Sequence, residues 1–116
     1  MPQVIPGRRR VPYVRRCELR AGEDRREGLL CNISPLGAYV SLDSIPEVGA
    51  VVELSFGVPQ NELPIVVEAQ VTWDNPYQDN PLHGLPPGCG LRFLSLTAID
   101  KRRIDRLIDA YVSPIR

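Results

Sequence analysis

Apolar and polar residues alternate with a period of two along most of this chain, the signature of half-buried strands. Cys17, Leu19 and Ala21 interleave with Arg16, Glu18 and Arg20, which predicts a first strand over that run. Two more follow, from Glu27 to Ile33 and from Gly37 to Leu42, on either side of a tight turn. A fourth begins near Ala50, with Val52, Leu54 and Phe56 on one face and Glu53 and Ser55 on the other. The clearest is PIVVEAQVTWD, in which Ile65, Val67, Ala69, Val71 and Trp73 share a face opposite Val66, Glu68, Gln70, Thr72 and Asp74. Its length suits a strand that bends around a small barrel. GCGLRFLSL supplies a sixth.

Three segments break the alternation. Pro2, Pro6 and Pro12 disfavour helix in residues 1–12, which read as an extended, flexible arm ahead of a domain over 13–116. Ala21–Arg26 is polar and reads as a loop around Gly22. NPYQDNPLHGLPP, residues 75–87, holds four prolines and reads as a long loop of the kind that is functional or mobile. The period changes to that of a helix near the end: Thr97 is a cap, and Ile104, Leu107, Ile108, Tyr111 and Val112 mark one face of a helix over about 97–112. With no helices between strands, a parallel sheet is excluded. The expectation is an all-β, mainly antiparallel barrel of six strands, closed by a C-terminal helix.

At 116 residues the chain suits one domain with one core, and 12 prolines with 9 glycines fit short strands joined by turns. No apolar run approaches the roughly 18 residues that span a bilayer. The arginines of MPQVIPGRRR follow a short apolar piece, the reverse of a signal peptide, so a cytoplasmic protein without membrane insertion is expected. Cys17, Cys31 and Cys89 are an odd set without a C-x-x-C pair and read as buried free thiols.

Catalytic chemistry finds little support. The single histidine, His83, lies in the proline-rich loop without a nucleophile motif beside it. The cysteines sit singly in strands, unlike the paired ligands of structural zinc. GCG at 88–90 lacks the lysine and the helix of a P-loop. Glu53 and Glu68 read as solvated strand faces. The chain is therefore expected not to be an enzyme.

Two features remain. The chain is neutral overall, yet residues 1–20 hold six arginines against Glu18, a local balance of +5 that leaves −5 for the rest. A neutral domain with one arginine-dense end is ill suited to coating DNA or RNA and better suited to a small anion. Guanidiniums at Arg8, Arg9 and Arg10 can pair in a fixed, bidentate fork with phosphate or with the O6/N7 edge of guanine, a job that lysine does less well. The second feature is the turn in CNISPLGAYV. Asn32 offers an amide oxygen and Ser34 a hydroxyl; Gly37 provides either a positive φ for the turn or room for a ligand beside the backbone.

Asn32-Ile33-Ser34-Pro35-Leu36-Gly37 matches [D/N]-x-S-x-x-G, and with the arginine arm it resembles the PilZ domain, a bacterial module that typically binds cyclic di-GMP. Val71 and Trp73, Gly90 and Phe93, and the closing amphipathic helix extend the resemblance over nearly the whole chain. It implies a six-stranded split β-barrel and a non-enzymatic receptor, with Arg8, Arg9, Arg10, Asn32, Ser34 and Gly37 as ligand residues and no cofactor. It further implies an adaptor, monomer or dimer, that controls motility, pili or exopolysaccharide through a downstream protein partner. The family's arginine pair is R-x-x-x-R. Arg10 stands where its second member belongs, 22 residues before Asn32, while Pro6 occupies the place of the first. Pro6 supports a second reading, a PilZ domain that binds no nucleotide and acts through protein contacts alone.

Overall fold

The structure, a computed structural model, describes residues 10–58, 63–77 and 84–112, with side chains through residue 110. Six strands are followed by one helix: β1 (Val11–Ala21), β2 (Asp24–Ile33), β3 (Gly37–Ser41), β4 (Val51–Phe56), β5 (Ile65–Asn75), β6 (Gly88–Ser95) and α1 (Ala98–Val112). They form a closed antiparallel barrel in the order β1-β2-β3-β6-β5-β4. The period-two alternation is the cause: Leu19, Leu30, Leu54, Ile65, Val67 and Leu91 all point into one interior and are nearly or wholly excluded from water. Burying side chains of this size contributes roughly 1.5–3 kcal/mol each.

Two boundaries differ from the alternation's forecast. β1 reaches back to Val11, into the stretch read as arm, with Val11 opposite Ile33 and Pro12 opposite Asn32. Proline is tolerated there because β4 meets β1 only from Cys17 to Arg20, so Pro12 needs no second ladder partner. A register shift between Pro12 and Arg15 breaks the alternation that would have revealed the strand. β2 starts at Asp24, not Glu27, because a tight hairpin replaces the expected loop. Gly22 takes φ 63° there, and Ala21 pairs with Asp24. Asp24–Glu27 carries polar residues on both faces, so hydropathy alone cannot show a strand in it.

The fifth strand keeps its forecast face through Val71 and then departs from it. Ile65, Val67, Ala69 and Val71 are buried, but a register shift between Val71 and Trp73 turns the indole out of the core. Trp73 instead packs on Tyr39, ring centroids 5.4 Å apart and tilted by 31°. Gly90 permits this, since a Cβ there would sit 2.0 Å from the indole Nε1. The helix begins as its cap predicts: Thr97 Oγ1 accepts the Asp100 N–H at 3.0 Å. Ile104 and Ile108 are buried on its inner face, packed into the barrel core. The side chains of Tyr111 and Val112 lie outside the described residues.

Candidate functional site

The turn between β2 and β3 is built by Ser34. Its side chain is buried; Oγ accepts the N–H groups of Leu36 and Gly37, each at 3.2 Å, and the Ser34 N–H donates to the Gly37 carbonyl at 2.8 Å. The hydroxyl also lies 3.4 Å from that carbonyl and can donate to it. The hydroxyl thus caps the turn, and the serine oxygen is turned inward. The Phe93 N–H donates to the Leu36 carbonyl at 2.8 Å and ties the turn to β6.

Gly37 does not adopt the positive φ considered from sequence; the positive-φ glycines among the described residues are Gly22, Gly49 and Gly84. Its reason is steric. A Cβ at position 37 would lie 2.0 Å from the Leu91 carbonyl oxygen, so only glycine lets β3 approach β6 this closely. The room it makes is filled by the neighbouring strand, not left beside an open surface.

Asn32 is half-buried and stands one residue beyond an irregularity in β2. The register slips between Leu30 and Asn32 against β3, opposite the shift in β1. Bulges re-aim side chains in this way, and here the amide meets the arm: Arg10 Nη1 donates to Asn32 Oδ1 at 2.8 Å. Partial desolvation lowers the Arg10 pKa from its ordinary value, but a guanidinium remains charged at neutral pH. Of the expected ligand residues, the structure thus brings Arg10, Asn32, Ser34 and Gly37 to one corner. Arg8 and Arg9 lie outside the described residues, as does His83.

The later arginines do not join that corner. Arg15 lies over the Tyr13 ring, 5.4 Å from its centroid, and the Tyr13 hydroxyl donates to the Gly57 carbonyl at 3.2 Å. Arg20 faces Glu53 at 3.8 Å, and Arg25 grips Glu18 at 2.7 Å. Arg26 holds Asp24 at 2.9 Å and the Ser44 carbonyl.

Cys17 and Cys89 are buried, and burial above all pushes their thiols up to about 12 and about 11. Cys31 is half-buried in place of the full burial expected, with its pKa also raised by desolvation. All three stay protonated and poorly nucleophilic near neutrality. Among the described residues, no three His, Cys, Asp or Glu side chains gather as a metal would need. No helix there is long and apolar enough to cross a membrane.

Sequence reasoning missed a surface beside the corner. Register places Asn32 opposite Tyr39, Tyr39 opposite Gly90, and Gly90 opposite Trp73, a transverse row across β2, β3, β6 and β5. Ala38, Val40 and Leu91 belong to the interior cluster, so this row lies on the outer wall. Tyr39 is covered there: its hydroxyl donates to the Pro86 carbonyl at 2.5 Å and receives Asn75 Nδ2 at 3.2 Å. On the same wall Arg92 is exposed, opposite Gly37 in β3 and Gln70 in β5. Its sequence signal was an outward arginine between Leu91 and Phe93 of the G-x-x-F strand.

Comparisons with known proteins agree with this architecture. The family model for the PilZ domain matches residues 7–110. The PilZ domain of YcgR from Escherichia coli, solved with c-di-GMP, superposes with a TM-score of 0.71 at 14% identity over 90% of this chain and 89% of that one. The inhibitor of motility MotI/DgrA of Bacillus subtilis gives 0.72 at 22% identity; 91% of this chain matches 50% of that protein's length. The PilZ domain of CeSA from a cellulose-synthesizing bacterium gives 0.57 at 13% identity, over 86% of this chain and 94% of that one. At these identities the likeness is one of fold. No curated protein sequence matches the chain.

Proposed function

This chain belongs to the PilZ domain family, and from that premise we propose that it is a non-enzymatic receptor for cyclic di-GMP. The observation that carries the reading is the Arg10–Asn32 contact at 2.8 Å, which joins the arginine arm to the motif turn. Asn32 Oδ1 is the acceptor for the N1 and N2 protons of a guanine, and Arg10 grips a phosphate or the O6/N7 edge. Arg8 and Arg9, just before it in sequence, add charge to the same grip. Ser34 and Gly37 act at one remove: the serine hydroxyl fixes the turn, and the glycine lets that turn seat against β6.

A guanine that gives both its N1 and N2 protons to Asn32 Oδ1 fills both lone pairs and displaces Arg10 from it. The signal is then an exchange at that oxygen, with Arg10 passing from amide to ligand and the arm closing over the guest. The output falls on a protein partner in control of motility, pili or exopolysaccharide, in the cytoplasm. Pro6 favours the rival reading, a protein-recognition module without nucleotide. Calorimetric titration with cyclic di-GMP separates the two. Binding that weakens tenfold or more in Arg10→Ala and Asn32→Ala supports the receptor. No heat at high micromolar ligand overturns it and leaves the protein-contact module.

A further inference from the structure

We infer that Arg92 is a further anchor for the ligand, contacting a phosphodiester from the side of the turn opposite Arg10. The inference rests on the cyclic di-GMP reading and adds to it a residue outside both sequence motifs. Leu91 and Phe93 point inward and are buried, so the Arg92 side chain stands on the outer wall with Asn32, Tyr39 and Trp73. In register it is the direct neighbour of Gly37, at the far edge of the motif turn. Asn32 lies on β2 and Arg92 on β6, with β3 between them, a lateral separation of about 10 Å from two strand spacings. A ligand with two purines and two phosphates is long enough to touch both.

The guanidinium is held in place but not neutralised. Arg92 Nη2 donates to Gln70 Oε1 at 3.0 Å, and Gln70 Nε2 donates in turn to the Gly49 carbonyl at 3.2 Å. The amide is thus fixed by backbone and holds the guanidinium on the β5 side of β6 without carrying a charge of its own. Arg20, Arg25, Arg26 and Arg103 each face a carboxylate instead. An exposed, oriented guanidinium whose partner is neutral keeps its full attraction for phosphate and retains donors for a bidentate bond.

Titration of the full chain with cyclic di-GMP tests this. Arg92→Ala is expected to weaken binding about tenfold to a hundredfold, to flatten its dependence on salt, and to leave the melting temperature near that of the parent. Arg92→Lys recovers part of the affinity, and Gln70→Met, which removes the amide, loses several-fold. Parent and Arg92→Ala binding equally would overturn the role of Arg92 and leave the receptor reading intact. Absence of binding by the parent itself would remove both. Should Arg92→Ala fold poorly, Arg92→Gln serves the same comparison, and affinity equal to the parent's there would be equally fatal.

Discussion

Arg10 and Asn32 are 22 residues apart in sequence and 2.8 Å apart in space, joined by a guanidinium-to-amide hydrogen bond on the surface of the barrel. The bond exists because β1 extends to Val11 and pairs it with Ile33, which fixes the foot of the arm beside the turn. Arg10→Ala should therefore separate binding from stability. An exposed hydrogen bond contributes only about 0.5–1.5 kcal/mol to folding, whereas its loss as a phosphate contact costs tenfold or more in ligand affinity. Thermal melting and calorimetry on one preparation check the pair. A large drop in melting temperature with unchanged affinity would assign Arg10 a structural role instead.

Gly37→Ala should cost stability directly. The new methyl meets the Leu91 carbonyl at 2.0 Å, and the β3–β6 pairing has to move apart. Overpacking of this kind costs about 1–3 kcal/mol, measurable as a shift in denaturant midpoint. Gly57→Ala is the control, since no atom lies within 4 Å of its added carbon. Equal midpoints for the two variants would contradict the steric account.

Ser34→Ala removes the acceptor of two amides at a buried position. Leaving them unsatisfied costs about 1–3 kcal/mol. Hydrogen exchange should speed up at Leu36 and Gly37 before it does elsewhere in the barrel. Protection unchanged at those two amides would mean that the hydroxyl does not hold the turn.

The chain has one tryptophan, which makes the Tyr39–Trp73 contact readable by fluorescence. Gly90→Ala places a methyl where the indole lies and should push Trp73 toward water, with a red-shifted emission. An emission maximum identical to the parent's would show that the ring does not rest on Gly90.

Alkaline pH should destabilise the fold through its thiols. Cys17 rises from an ordinary 9.0 to about 12 and Cys89 from 9.0 to about 11 in the folded state, because burial disfavours the thiolate. Between the unfolded and folded values the native state binds more protons than the unfolded one, so stability falls as pH rises. Their contribution is complete below about pH 9 and disappears through the range 9 to 12. Denaturation midpoints followed from pH 8 upward should decline, and less steeply in Cys17→Ala than in the parent.

How much of this was legible in the sequence follows from where the alternation is regular. β4 and the first part of β5 carry unbroken period-two patterns, and the forecast faces there are the observed ones. The start of β1, the end of β5 and the approach to Asn32 each hold a register shift, which adds a residue to one strand and flips the faces beyond it. For that reason the period-two pattern puts Trp73 on the face of Val71, which the structure does not. The turn motif was legible as a pattern, but its division of labour was not. Ser34 and Gly37 serve the backbone, and only the pairing of strands distant in sequence shows that Leu91 is what glycine makes room for. Arg92 was hidden differently: nothing within β6 says that Gly37 and Gln70 flank it.

Closure of the six strands into a ring has a consequence for recognition. β1 and β4 meet from Cys17 to Arg20, which uses up the outermost strands that an open sheet would offer. Another polypeptide cannot add a strand along that seam, and two copies cannot merge sheets there. Along that seam a companion can be met only with side chains and turns, so its choice is written there in residues that substitution can rewrite without unmaking the ring.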